Sequence, residues 1–305
     1  MRAPIAVIGL LVVASLISAA EAAGAAGTAG AAGTAGAADP GLTTTSAVDW
    51  AAGALVVDVS KVLDPSIPAL PKAKETAQAD IADRLSGILT LALGPVLVDS
   101  SHTFGQAVAS DPSVFQAVAE LAAAVSPRQA ALTRDLSTLT VRYSLPFFGA
   151  GGIALPLLPT HGVAPRRRLG FVATRRYTGV LIYAKGPLSY VGTPETRLAQ
   201  PALFPRLWDE QMNLVLDKGM CNPDDLGRWG MVGYAQSLDD SATLRAGASP
   251  LRITARGVFG DNATDIVISD DAAAQLLSLP ENIGMLQQGR IVIVYESLPG
   301  PPSTP

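Results

Sequence analysis

The chain has 305 residues, of which 49% are hydrophobic and 16% charged, so it can bury a substantial core. A net charge of -4 argues against a nucleic-acid binder that relies on overall positive charge. One Cys and two His exclude a disulfide framework, a zinc finger and a His-rich metal cage.

Met1-Arg2 is followed by an uncharged apolar run from Ala3 to Ala20 and then by Ala20-Glu21-Ala22. A positive start, an apolar core and a small-residue exit predict a secretory signal peptide over 1–22 and a periplasmic or otherwise exported location. The competing reading is an uncleaved anchor; cleavage leaves no stable transmembrane span. From Ala22 to Ala38 the chain holds only Ala, Gly and Thr, with Gly at every third position. Without proline this is no collagen repeat, and a flexible linker is expected over 23–46.

An N-terminal α+β domain is expected over 47–147. Leu55, Val57 and Val59 share one face of a strand. Ala77, Ile81, Leu85, Ile88 and Ala92 recur at helical spacing between Lys72 and Leu93, and Gly94-Pro95 ends that helix. A short strand is expected near Val96 to Val98. Asp111-Pro112 supplies an N-cap and a first-turn proline for a second helix, which Pro127 stops. Leu139, Val141, Tyr143 and Leu145 then alternate with polar residues as a half-buried strand.

Residues 148–176 read as a connector rich in Gly, Pro and Arg. Between Leu136 and Pro194 there is no Asp or Glu, whereas both flanking blocks are net acidic. Arg166, Arg167, Arg168, Arg175 and Arg176 form the candidate binding cluster, an anion-facing patch. The bland alternative pairs these arginines with the acidic C-terminal block. Phe148-Gly149-Ala150-Gly151-Gly152 lacks the following Lys-Ser/Thr of a phosphate loop and reads as a turn.

A second α+β domain is expected over 177–297. Tyr177 to Ala184 is a nearly continuous apolar run, hence a buried central strand. Ala202 to Leu216 suggests two strands around a tight turn, and Met231 to Ala235 a short strand. Leu251, Ile253 and Ala255 alternate as a further strand. Asp265 to Ile268, a Ser269-capped helix ending at Pro280, and Ile291 to Tyr295 read as one strand–helix–strand crossover unit. The Pro- and Ser-rich tail, 298–305, is expected to be disordered. The fold class is therefore α+β, as two small mixed domains, each a β-sheet with packed helices.

No arrangement of catalytic residues emerges. Asp99-Ser100-Ser101-His102 are sequence neighbours, whereas triad members converge in space. His161 sits in a loop, and Cys221 has no second Cys. Asp261 to Asp265 lacks the spacing of a calcium loop, and Asp209-Glu210 would face opposite sides of a strand. No enzyme activity, cofactor or metal is expected.

Tyr177-Thr-Gly-Val-Leu-Ile-Tyr-Ala-Lys-Gly186, followed by Pro201-Ala-Leu-Phe-Pro-Arg-Leu-Trp-Asp-Glu210, resembles a segment of bacterial exported proteins of the flagellar assembly protein T and small envelope lipoprotein type. Pro250 to Arg256, Asp265 to Ser269 and Gly289 to Val294 are similar to the later strands of that family, and Lys72 to Leu93 to a helix of its N-terminal domain. The chain departs from the lipoprotein members in lacking a lipidation Cys. The resemblance implies a non-catalytic periplasmic or envelope-associated structural or adaptor protein, linked to flagellar or motility assembly, with an envelope or flagellar protein or an anionic envelope component as partner. The alternative is a periplasmic binding module for an anionic small molecule or polymer. Nucleic acid is not expected as a partner.

Overall fold

The computed structural model describes residues 41–296. The expected signal peptide, most of the linker and the expected tail lie outside the described residues. In chain order the elements are β1 (Leu42–Asp49), β2 (Ala54–Val62), α1 (Leu70–Leu93), α2 (Phe104–Ser110), α3 (Pro112–Ala123), β3 (Gln129–Leu132) and β4 (Thr138–Pro146). The C-terminal half adds β5 (Val180–Ala184), β6 (Leu188–Tyr190), β7 (Thr196–Arg197), β8 (Leu207–Asp209), β9 (Leu214–Leu216), α4 (Pro223–Trp229) and β10 (Gly233–Ala235). It ends with β11 (Leu251–Thr254), β12 (Gly257–Phe259), β13 (Asp265–Ile268), α5 (Asp270–Ser278), α6 (Pro280–Gln287) and β14 (Ile291–Tyr295).

The N-terminal domain is an antiparallel sheet in the order β1-β2-β4-β3. Leu55, Val57 and Val59 of β2 and Leu139, Val141, Tyr143 and Leu145 of β4 give it a buried face. Against that face lies α1, whose Ala77, Ile81, Leu85, Ile88 and Ala92 are all buried, as their spacing requires. Asp111 caps α3 by accepting the Ser113 N–H.

Three features differ from expectation. The sheet begins at Leu42, inside the stretch assigned to the linker. The pattern of β1 is polar (LTTTSAVD), but it pairs with β2 over its full length, from Leu42↔Lys61 to Asp49↔Ala54. Its order is thus supplied by a partner strand rather than by its own hydrophobicity. Val96 to Val98 makes only an isolated bridge, Leu97 to Thr103. Phe104–Ser110 is a helix closed by a capping box between Thr103 and Gln106.

The C-terminal domain holds two sheets. One is wholly parallel, in the order β10-β14-β5-β11, with β5 and β14 buried at its centre. The apolar run before Ala184 is that central β5, buried at Val180, Leu181, Ile182 and Ala184. The other is mixed, in the order β7-β6-β12-β13-β8-β9. The expected crossover unit is corrected here. β13 pairs with β12 and β8, and β14 pairs with β10 and β5, so α5 and α6 bridge two different sheets. Sequence spacing sets the elements of such a unit but not the sheet each strand joins.

The two domains share one continuous apolar core. Leu203 and Phe204 donate their N–H groups to the carbonyls of Leu97 and Val98, at 3.0 and 2.8 Å. Asn262 donates to Ser100 and Gly149 to Gly227. Trp50, on the β1–β2 turn, packs its ring against Phe147 and, across the seam, against Tyr234. Among the described residues no helix is long and apolar enough to cross a membrane.

Candidate functional site

The basic segment forms a strap without strands, laid along α5 and α6. Pro156 lies in a short 3-10 turn, Leu155–Leu157, and beyond it Pro159, Pro165 and the left-handed Gly170 (φ +113°) keep the segment out of helix and strand. The strap is fastened at several points. Val163 N–H donates to Gly219 O, Arg168 N–H to Leu277 O, and the Thr174 hydroxyl to Gln275 O. Tyr177 N–H donates to Asn282 Oδ1, while Asn282 Nδ2 returns a bond to Arg175 O.

The five candidate arginines do not act as one group. Arg168 turns inward and pairs with Asp209, whose carboxylate is fully buried. The N–H groups of Gln211 and Asn213 and the Asn213 amide complete the shell of that carboxylate. This arginine, like Arg176 with Glu281, follows the alternative of pairing with the acidic C-terminal block, and the sequence offers no sign that it differs from its two neighbours. Arg167 gives Nε to Ser278 O at 3.0 Å while remaining exposed. Arg176 pairs with Glu281 on the surface, and Arg175 lies over the Tyr177 ring at 5.5 Å. Arg166 is exposed and makes no ion pair or hydrogen bond among the described residues.

Between these cations the strap projects apolar side chains that composition did not single out. Phe171 is 97% exposed and Leu169 88%, with Val163 also open to solvent. Leu169 and Phe171 thus stand exposed on the same segment as Arg166, Arg167, Arg175 and Arg176, apolar surface beside positive charge.

Several of the polar groups weighed for catalysis have partners inside the fold, while His161 is exposed. The Asp99 carboxylate accepts the N–H groups of Ser101 and His102 and sits 3.0 Å from His102 Nδ1, closing a turn. Ser100 is buried against Gly260, and its side chain hydrogen-bonds the Asp265 carboxyl. Burial, reinforced by Asp217, pushes the Cys221 thiol up to about 12, so it stays protonated and is no nucleophile at neutral pH. Asp265 is buried too, and desolvation raises its pKa. It is held by Trp208 Nε1 and the Arg206 N–H, both at 3.0 Å.

Both folded halves match domains of a single protein, Treponema pallidum Tp0624. Residues 41–150 match the family model for the Tp0624 N-terminal domain, and residues 179–297 the model for its second domain. No curated protein matches the chain. The Tp0624 matches agree with the two α+β units of the structure. They leave the strap between them, so the exposed arginines and Phe171 belong to neither matched segment.

Proposed function

We propose that this protein is an exported, non-catalytic envelope adaptor that docks on an anionic lipid surface through its strap. The observation that carries this reading is Phe171 and Leu169 standing almost fully exposed among Arg166, Arg167, Arg175 and Arg176. Burying each apolar side chain in an interface is worth roughly 1.5–3 kcal/mol. Each arginine near an anionic surface adds about 1 kcal/mol, a contribution that salt screens. Together these describe a reversible, salt-sensitive attachment rather than an insertion. The predicted signal peptide would deliver the chain to such a surface. The resemblance to exported flagellar-assembly proteins supports the same setting, with a motility-associated protein as the cargo of the adaptor.

Co-sedimentation with phosphatidylcholine vesicles, with and without phosphatidylglycerol, tests the proposal. The parent chain should bind the anionic vesicles and release as salt rises. Arg166→Gln with Arg167→Gln and Arg175→Gln should reduce both affinity and salt dependence. Phe171→Ser should weaken binding while keeping the salt dependence. Equal binding to neutral and anionic vesicles, or unchanged binding by both variants, overturns the reading.

A further inference from the structure

We infer that the cleft at the domain seam is a binding site for a small anion carrying a flat ring. The cleft has a volume of about 280 Å³ and is walled by both domains. That is near the lower end of ligand-binding cavities, enough for one ring and its charged group. From the N-terminal domain come Trp50, on the β1–β2 turn, and Phe148, on the bend after β4. From the C-terminal domain come Trp229, at the end of α4, and Tyr234 of β10. Trp50, Phe148 and Trp229 are half-buried and line the opening with ring surface, while Tyr234 is buried beneath Trp50 as the floor.

The charge in the cleft is all of one sign. Arg228 and Arg245 line it, and no Asp or Glu does among the described residues. Arg228 stands at the rim, 69% exposed, with Asp225 of its own helix 3.5 Å away. Arg245 is the less expected group. Its Nε donates to Gly289 O at 2.7 Å, its Nη1 to Trp229 O at 2.8 Å and its Nη2 to Gly230 O, and it lies 4.7 Å from the Trp229 ring centroid. All three acceptors are neutral carbonyls, so the positive charge has no carboxylate opposite it. A guanidinium has five N–H groups, and only three are used. Desolvation lowers its pKa to about 10, which leaves it charged at neutral pH.

The chain makes room for this arginine. A Cβ on Gly289 would approach its Nη2 to 3.0 Å, and one on Gly233 its Cδ to 3.1 Å. A partly buried cation whose partners are carbonyls at the ends of α4 and α6, with no carboxylate among them, still offers an anion in the cleft a charge-assisted contact. The cleft contains none of the strap's arginines, nor Leu169 or Phe171.

Phenyl phosphate, with inorganic phosphate and phenol as the single-feature controls, tests the site on the full chain. Tryptophan fluorescence and thermal shift report on Trp50 and Trp229 and on stability. Phenyl phosphate should bind about tenfold or more tightly than phenol, the worth of one charge-assisted contact, and more tightly than inorganic phosphate, which lacks the ring. Arg245 variants could unfold through their carbonyl contacts, so the variants are Arg228→Gln and Ala52→Glu, the latter setting a carboxylate at the exposed mouth. Each should fold as the parent does and bind phenyl phosphate about tenfold more weakly. The strap variant with Arg166, Arg167 and Arg175 changed to Gln should bind it unchanged. Equal affinity for the three probes, unaltered affinity in both cleft variants, or loss of binding in the strap variant overturns the inference.

Discussion

At Asp209 a fully buried carboxylate depends on a single cation from a distant stretch of chain. Its remaining partners are amide N–H groups, which soften but do not cancel the loss of Arg168. Arg168→Gln should therefore destabilise the fold by on the order of 2–3 kcal/mol, while Arg166→Gln should leave it within about 0.5 kcal/mol. Urea unfolding of the two variants separates them. Cys221 is the second residue-scale test. It is 1% exposed, and its protonated thiol donates to Asp217 O. Iodoacetamide at neutral pH should leave the native chain unmodified and alkylate it in denaturant; rapid labelling of the native chain would contradict the burial. Asp135 supplies the pH dependence. Hydrogen bonds from Thr133 and Ser137, the former largest, hold its carboxyl at about 2 rather than 3.8. A lowered pKa contributes stability that is complete above the unfolded value. That contribution fades as pH falls from about 4 toward about 2. Carboxyl NMR titration of Asp135 should find its midpoint well below that of an ordinary aspartate.

Among the elements, the β3–β4 turn carries the clearest local strain. Leu136 holds φ at +59° with its side chain half in water, so it gains little from packing in exchange for the left-handed backbone. Leu136→Gly should raise stability by roughly 0.5–1 kcal/mol, measurable by thermal unfolding. The elements that periodicity and capping announce are the ones that fold as announced. The apolar stripe of α1, the Asp111 cap of α3, the alternation in β4 and the Ser269 cap of α5 are all local physics, complete within a few residues. β1 was hidden because its Thr-rich pattern acquires a buried face only through β2. Phe104–Ser110 was hidden because seven residues are too few to show a period.

For the molecule as a whole, the seam decides the behaviour. Backbone hydrogen bonds and a shared core join the halves, so the two domains should unfold in one cooperative transition rather than two. Gly260→Ala probes this directly. Gly260 sits at φ +83°, and an added Cβ would fall 2.2 Å from the Ser100 Cβ across the seam. The variant should lose about 2 kcal/mol or more and broaden or split the transition seen by calorimetry. A single transition at the parent temperature would show that the seam does not carry the coupling.

The sequence by itself determined that the chain has two α+β units separated by an acid-free, arginine-rich stretch, because composition, hydrophobic spacing and caps act over short range. It located the candidate surface as a segment, Arg166 to Arg176, without distinguishing its members. Only the tertiary structure decided that Arg168 pairs with the buried Asp209, 41 positions away, while Phe171 faces solvent, since both outcomes depend on which distant residues arrive beside the strap. It alone decided that β13 and β14 enter different sheets, and that Trp50, Arg228 and Arg245 meet in one cleft. Such meetings are fixed by how whole elements pack to bury their apolar faces, and no local pattern encodes them.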